Sequence, residues 1–213
     1  MSKVTPVRSR ARARRGEGAK LRDTIIDATE RLLVQAGDPD DVSIRAIADA
    51  VQVTPPSIYL HFADKDDLIV AVCARAFAAF DTTIEEATTT DPVESLRRRA
   101  HAYVRFGLEN PAQYRILFMS PGVGDGAVGE DGQRPGTLAF THLVESVQRA
   151  IDAGALRDDL DAYMIATGLW TSMHGITSLL IARPGFSWPD TEKLIDHVCA
   201  TALRGLAAQP KEL

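Results

Sequence analysis

The sequence predicts an all-α protein, in which a small N-terminal three-helix domain precedes a larger helical bundle. Apolar residues recur at three-to-four spacing through most of the 213 residues, which is the period of one helix face. No segment shows the alternation of a half-buried strand, and no repeat or heptad array is evident. Hydrophobic residues make up 45% of the chain and charged residues 25%, as in ordinary globular proteins. We divide the chain into a basic flexible arm (1–20), a three-helix domain (21–67) and a larger helical domain (68–213).

The N-terminal arm is strongly basic. Residues 1–22 contain eight Lys or Arg residues and one Glu, so they carry a net charge of +7 in a chain whose total is −5. The remainder is therefore acidic. A basic, aromatic-free arm on an acidic body is expected where only one end of a protein meets a polyanion. A solvated, disordered tail would have the same composition.

The first two helices are bounded by recognisable start and stop residues. Apolar positions recur at helical spacing from Leu21 to Ala36, and Gly37 ends the pattern. After the loop GDPDD, Ser43 is a suitable N-cap for a helix of about two turns that ends at Ala50.

A second short helix follows the turn VQV. Thr54 stands at the cap position, and Pro55 and Pro56 suit the first helical positions because those N–H groups have no partner within a helix. Ile58 and Phe62 are expected to face the core, which leaves the polar and aromatic residues around them exposed. Two short helices joined by a tight turn, the second presenting its N-terminal residues outward, form a helix-turn-helix that can enter a DNA major groove.

The larger domain begins with a long helix that Asp64 can cap, Asp67 completing a box-like start. Further helices are predicted around residues 93–109, 111–119, 137–153, 159–182 and 189–208. Cys73 and Cys199 each lie within an apolar helical pattern and indicate buried thiols in a reducing compartment. There is no secretory signal and no uninterrupted apolar run of about 18 residues, so a cytoplasmic protein without a membrane span is expected.

The segment SIRAIADAVQVTPPSIYLHFADKDDLI (43–69) resembles the DNA-binding signature of TetR/AcrR-type bacterial transcriptional regulators. The match covers about residues 21–68. The resemblance makes residues 54–61 the recognition helix, and it implies DNA-backbone contacts by Tyr59 and His61 and a phosphate contact by Lys65. The full set of DNA-binding residues expected from the arm and the motif is Arg12, Arg14, Arg15, Ser43, Arg45, Thr54, Pro55, Pro56, Ser57, Tyr59, Leu60, His61 and Lys65.

The chemistry of these residues suits positioning more than base reading. Hydroxyl groups, helix N-termini and Lys65 are good phosphate ligands, and such contacts fix the register of a protein on DNA. Pro55, Pro56 and Leu60 cannot form bidentate hydrogen bonds with bases, so sequence selection would rest on thymine methyl groups, Ser57 and DNA shape. One departure from the family pattern is Gln52, where Gly is common, so the turn is made without the residue best suited to positive φ.

The last two helices are expected to form the homodimer interface, because the helix from about Leu160 to Ala182 is apolar on two sides. By resemblance, these two helices form a four-helix bundle across a symmetric dimer. The residues Trp170, His174 and Gly175 resemble the W…HG signature of one class of TetR-family C-terminal domains. Two interpretations stay open: Trp170 and His174 line an effector cavity, or they pack in the core with the histidine bonded to a carbonyl.

A hydrophobic effector cavity is predicted between helices of the larger domain. Arg105 and Arg115 are noted as possible partners of an acidic effector group, and residues 120–136 as a connection with a possible lid role. The candidate cavity residues are Tyr103, Phe106, Tyr114, Phe118, Met119, Trp170, Met173 and His174, together with Phe140 as a further aromatic.

Enzymatic function is not supported, since the five histidines are scattered and no nucleophile, nucleotide or metal-ligand motif is present. No cofactor is expected. The predicted function is a dimeric, effector-responsive regulator, a repressor, that binds double-stranded operator DNA. The alternative is a helical protein-interaction module with non-specific DNA affinity from its arm.

Overall fold

The computed structural model describes residues 17–119 and 134–208, and these are helical almost throughout. The helices are α1 Glu17–Ala36, α2 Ile44–Ala50, α3 Pro55–Ile58, α4 Lys65–Glu86, α5 Pro92–Glu109, α6 Pro111–Met119, α7 Thr137–Asp152, α8 Ala162–Ala182 and α9 Thr191–Leu206. A single 3-10 turn, Pro39–Asp41, fills the loop before α2. The β-structure among the described residues consists of one isolated bridge between Leu156 and Ala207. The all-α prediction is therefore confirmed.

Most helices begin at a side-chain cap, which explains why their starts were predictable. Ser43 Oγ accepts from the Ala46 N–H at 3.1 Å, and Asp64 accepts from the Asp67 N–H at 2.8 Å. The Asp67 carboxylate in turn accepts from the Ala63 N–H at 2.9 Å, which completes the predicted box-like start of α4. Four helices differ from the prediction at a boundary by two residues or more. Helix α1 begins at Glu17, within the segment assigned to the arm, α3 ends at Ile58, α8 begins at Ala162 instead of 159, and α9 spans Thr191–Leu206 instead of 189–208.

Helix α4 connects the two domains through a continuous core. Its first half buries Leu68 and Cys73 against α1 and α2, and its second half packs Phe77 and Phe80 in the larger domain. A second apolar cluster joins α5, α7, α8 and α9 around Val147. Because one helix belongs to both domains, a change in its tilt alters their relative orientation.

Helix α8 carries much of its apolar surface toward solvent in the single chain. Met164 is 58% exposed and Leu179 is 51% exposed. Within the described residues, α8 is the helix long and apolar enough to cross a membrane by length and composition, a test that core helices of water-soluble proteins also pass. An exposed apolar face of this kind is typical of interaction surfaces.

Candidate DNA-binding surface and effector cavity

The turn between α2 and α3 is tight, and Gln52 makes it with a left-handed backbone. Its φ is +57°, and it is the one residue other than glycine with positive φ in the described chain. The Val53 N–H donates to the Ala48 carbonyl at 3.0 Å, which closes the turn. The glycine that is common in related motifs is thus replaced by a residue in the conformation glycine favours.

Helix α3 and the turn that follows it are anchored by two buried residues and present two exposed ones. Ile58 is fully buried and Phe62 is 2% exposed, as predicted, whereas Tyr59 is 53% exposed and Leu60 is 82% exposed. The chain continues from Ile58 as a turn, since the N–H groups of His61 and Phe62 both donate to the Ile58 carbonyl. The exposed residues Tyr59 and Leu60 are therefore held in place by the buried residues Ile58 and Phe62 on either side of them.

Thr54 occupies the N-cap position of α3 but its side chain does not cap the helix. Its hydroxyl lies 3.0 Å from the Ser57 hydroxyl instead. One hydrogen of this pair is not used between them, so the pair can still donate to a phosphate. Pro55 and Pro56 occupy the first two helical positions, as predicted.

The start of α1 lies beside the recognition segment. A Cβ placed on Gly18 would come within 3.8 Å of His61 Cε1. Arg12, Arg14 and Arg15 lie outside the described residues. The first turn of α1 therefore lies next to His61, in the turn that follows α3.

The remaining predicted contact residues border the same surface at the starts of two helices. Arg45 is exposed in the first turn of α2, beside the cap residue Ser43, and Lys65 is half-buried at the first position of α4. At each start one backbone N–H is bonded to the cap side chain, that of Ala46 to Ser43 and that of Asp67 to Asp64.

A polar contact ties the N-terminal domain to the larger domain. Arg75 of α4 binds Asp27 of α1 at 2.6 Å and Glu30 of α1 at 2.7 Å. Gln113 of α6 donates to the other oxygen of the Glu30 carboxylate at 2.9 Å. Glu30 is therefore held from two helices of the larger domain.

A cavity of about 720 Å³ lies between α4, α5, α6, α7, α8 and α9. Its volume falls in the range typical of small-molecule sites. Tyr103, Phe118, Trp170 and Met173 line it, as predicted, and so does Phe140. The aromatic rings meet edge to face, for example Phe80 with Tyr103 at 5.5 Å and Phe140 with Trp170 at 5.8 Å between centroids.

Four of the predicted cavity residues lie outside its wall: Phe106, Tyr114, Met119 and His174. Tyr114 is fully buried behind the wall and Met119 is 45% exposed. Arg105 is also outside, bound to Glu192 on the surface at 2.8 Å, and Arg115 does not line the cavity. Of residues 120–136, only 134–136 are described, and they lie at the cavity.

Several cavity residues were not predicted from the sequence. Tyr163 of α8 lines the cavity and packs against Phe140 at 5.2 Å between ring centroids, although the sequence pattern placed it on a separate apolar face. Arg99 lines the cavity while being only 3% exposed. The run Arg97–Arg99 gave no signal that one of its members points inward.

Trp170, which is 37% exposed, and the half-buried His174 meet in one hydrogen-bond network through the buried residues Tyr103 and Tyr114. Trp170 Nε1 donates to the Tyr103 hydroxyl at 3.2 Å, Tyr103 contacts the Tyr114 hydroxyl at 3.1 Å, and Tyr114 contacts His174 Nδ1 at 2.7 Å. On the far side, His174 Nε2 lies 3.3 Å from Ser178 Oγ, which donates to the His174 carbonyl.

One arrangement of protons gives every donor in this network an acceptor. Tyr103 donates to Tyr114, Tyr114 donates to Nδ1 of His174, and Nε2–H donates to Ser178, which requires a neutral imidazole. Burial supports this state, because it lowers the pKa of His174 and raises the pKa of both tyrosines. Of the W…HG residues, Trp170 thus lines the cavity, whereas His174 is half-buried outside its wall and its ring contacts a tyrosine hydroxyl instead of the carbonyl that the second interpretation expected.

Sequence comparison matches two family models along the chain. Residues 25–72 match the model of bacterial regulatory proteins of the tetR family, and residues 96–202 match the tetracyclin repressor-like C-terminal domain. The HTH-type transcriptional regulator YobS of Bacillus subtilis (strain 168) is 25% identical over 191 residues, which cover 89% of this chain and 94% of YobS.

Two solved structures illustrate the likeness of fold. A protein of unknown function from Rhodococcus sp. RHA1 superposes with a TM-score of 0.73 at 24% identity, covering 88% of this chain and 95% of that one. RolR in complex with the ligand resorcinol superposes with a TM-score of 0.61 at 17% identity, covering 91% of this chain and 90% of RolR.

Proposed function

The chain belongs to the TetR family of bacterial regulatory proteins, and from this premise we propose that it is a homodimeric repressor released from its operator by a small, mainly apolar effector. Family membership makes it a DNA-binding transcriptional regulator with a ligand-binding C-terminal domain and not an enzyme. The sign of regulation, the release by effector and the residue roles are the proposal. A cytoplasmic location follows from binding DNA in a bacterium.

We assign DNA contact to the surface formed by α3, the residues that follow it and the starts of α1, α2 and α4. The support is the exposure of Tyr59 and Leu60 on a base formed by buried Ile58 and Phe62. Apolar and aromatic groups held at such exposure are costly without a partner. The arm would add phosphate or minor-groove contacts, since α1 begins beside His61.

Helix α6 carries the observation that supports effector control. Leu117 and Phe118 line the cavity, Tyr114 belongs to the hydrogen-bond network with Trp170, and Gln113 binds Glu30 of the N-terminal domain. Fewer than two turns of α6 thus contact both the cavity and the DNA-binding domain. An effector that displaces the Trp170–Tyr103 contact would move this part of α6 and change the orientation of α1 and α4.

Dimerisation would use the exposed face of α8 with α9. This face contains Met164, Leu179 and two glycines, Gly168 and Gly175, that have no atom within 4 Å of a Cβ built on them. Open space beside glycines allows a second helix to approach closely. Two recognition segments related by a two-fold axis would then read a near-palindromic operator.

Binding to a genomic DNA library at physiological salt tests the DNA-binding assignment. Wild-type protein should enrich a near-palindrome, and Tyr59→Ala should abolish that enrichment. Leu138→Ala is the control, because Leu138 is a comparably exposed apolar residue on α7 that does not line the cavity and lies away from α3. Salt-sensitive general binding without enrichment would support the interaction-module alternative.

Operator titration against salt tests the arm. Residues 2–16 contain six Lys or Arg residues, and each phosphate neutralised contributes about 0.9 to the slope of log affinity against log salt. Deletion of residues 2–16 should reduce the slope by up to about 5 per protomer. An unchanged slope would exclude the arm from the interface.

Operator release in a screen of apolar small molecules tests effector control. With any molecule that releases wild-type protein, Gln113→Ala should retain operator affinity and require several-fold more effector, because the contact with Glu30 is lost. Gln148→Ala is the control, since Gln148 makes an exposed contact with Asp152 on α7. An unaltered response of Gln113→Ala would remove α6 from the mechanism.

A further inference from the structure

Arg99 brings a buried cation to the wall of a mainly apolar cavity. The side chain lines the cavity and is 3% exposed. Its described hydrogen bonds all use Nη1, which donates to the Glu85 carboxylate and, at 3.4 Å, to Thr88 Oγ1. Nε has no acceptor among the described residues. A buried donor without an acceptor is unfavourable, so the guanidinium is short of hydrogen-bond partners.

The charge of Arg99 is nevertheless already compensated. Glu85 pairs with it directly, and Asp81, one helical turn earlier on α4, is 7% exposed and lies 2.9 Å from His142 Nδ1. The formal charge of these four groups is zero if the imidazole is protonated and −1 if it is not. In either state an incoming carboxylate would add negative charge to a partly desolvated cluster with no excess of positive charge.

A divalent cation is the other occupant that these residues suggest. Ligand atoms of Asp81, Glu85 and His142 lie within 4.8 Å of one another. The guanidinium of Arg99 already contacts the Glu85 oxygen that a metal ion would need. The ion would therefore have to displace a buried cation, and we do not assign a metal to this cluster.

We propose that the cavity selects an uncharged, mainly apolar effector that carries a carbonyl or hydroxyl oxygen, which accepts a hydrogen bond from Arg99. This inference rests on the effector role proposed for the cavity and specifies its chemistry. The aromatic wall supplies the apolar contact, and the compensated guanidinium supplies donors without excess charge. An acidic effector, the partner that an arginine first suggests, is disfavoured at Arg99 by Glu85. Arg134 is the other arginine of the cavity wall, but it is exposed, so solvent screens its charge.

Calorimetric titration with three naphthalene derivatives at pH 8 tests the proposal. The probes are 2-acetylnaphthalene with a neutral oxygen, 2-ethylnaphthalene with none, and 2-naphthoate with a charged carboxylate. For wild-type protein, we expect the ketone to bind at least about tenfold more tightly than either of the others. Equal or tighter binding of 2-naphthoate would overturn the proposal, and so would equal binding of 2-ethylnaphthalene.

Substitutions that change the preference for the ketone over naphthoate provide the sharper test. Glu85→Gln removes the carboxylate that pairs directly with Arg99, and with it one negative charge of the cluster, so the ratio of naphthoate to ketone affinity should rise at least about tenfold. Arg99→Met should remove the advantage of the ketone over 2-ethylnaphthalene. Arg105→Met, on the surface, is the control and should change neither ratio. A ratio unchanged by Glu85→Gln would refute the role of the ion pair, even if Arg99→Met fails to fold.

Operator binding by the same samples separates the two proposals. If none of the probes binds while operator affinity is intact, the assignment of a neutral effector is wrong and the DNA-binding proposal stands. If operator binding is absent while the ketone binds through Arg99, the regulator proposal fails and the cavity assignment stands.

Discussion

Gly107 marks the closest approach between α5 and α8, and its replacement by alanine should destabilise the protein. A Cβ at this position would lie 2.3 Å from Thr177 Cγ2 and 3.0 Å from the Tyr114 ring. Thr177 is fully buried, and its hydroxyl donates to the Met173 carbonyl at 2.7 Å. Rotating Thr177 to move its methyl group would break that bond, so the helices themselves would have to separate.

The size of the effect follows from two opposing contributions. Glycine to alanine within a helix gains about 1 kcal/mol of helix propensity. Forcing an extra methyl group into a packed interior costs about 1–3 kcal/mol, and the overlap of more than an ångström places this site at or beyond the upper end. The net loss should be about 2 kcal/mol, equivalent to a fall in Tm of roughly 4–8 °C for a protein of this length.

Thermal unfolding at fixed protein concentration measures this loss, and a double-mutant cycle identifies its cause. Thr177→Ser removes only Cγ2, the atom that overlaps with the new Cβ. In the Gly107→Ala background it should recover at least half of the lost stability, although alone it should cost about 1 kcal/mol for a buried methyl group. Neutral or raised stability in Gly107→Ala, or additive effects in the double variant, would refute the close-approach argument.

Three further predictions concern the turn at Gln52, the half-buried His174 and the dimer. Gln52→Gly should stabilise the protein by about 0.5–1 kcal/mol in urea unfolding with operator affinity unchanged, because φ is +57°; a loss of stability would contradict this. Burial lowers the pKa of His174 in the folded protein, so as the pH falls the histidine is protonated in the unfolded chain before it is in the folded one. The stabilisation that depends on neutral His174 should therefore be fully present above about pH 6.5 and decrease below it. Urea midpoints at pH 7.5 and 5.5 should differ less in His174→Phe than in wild type, and an equal difference would assign the acid sensitivity elsewhere. Leu179→Arg should yield monomers in analytical ultracentrifugation, with Leu138→Arg, 54% exposed on α7, as control; a dimer in Leu179→Arg would exclude this face.

The helices were predictable from the sequence because their signals are local. Caps such as Ser43 and Asp64 and the stop at Gly37 act within a few residues, so they place helix ends without knowledge of the fold. The start of α1 was set four residues late because its first turn, Glu17–Lys20, contains no large apolar residue. The end of α3 was set late because the chain stays coiled beyond Ile58: Tyr59 has helical dihedral angles, and the N–H groups of His61 and Phe62 both donate to the Ile58 carbonyl.

The burial pattern around α3 was predictable for the same reason, and the wall of the cavity was not. Buried Ile58 and exposed Tyr59 follow from the spacing within one segment. The side on which a cavity opens depends on how six helices pack. The aromatic residues of the sequence therefore predicted that the cavity is apolar, but not which of them line it. Arg99 is the clearest case: within a run of three arginines only its contact with Glu85, on another helix, turns it inward.

The strength of effector control should depend on packing more than on the polar contact at Glu30. A hundredfold loss of operator affinity needs about 2.7 kcal/mol of coupling. One partly exposed hydrogen bond from Gln113 contributes only about 1 kcal/mol. The space left where α1, α4 and α6 meet is about 10 Å³, no more than one water molecule occupies. A shift of α6 therefore cannot be absorbed there and must move α1 or α4. Gln113→Ala should accordingly weaken the response without abolishing it, whereas shortening Ile116, buried on α6 against this junction, to alanine should reduce coupling further.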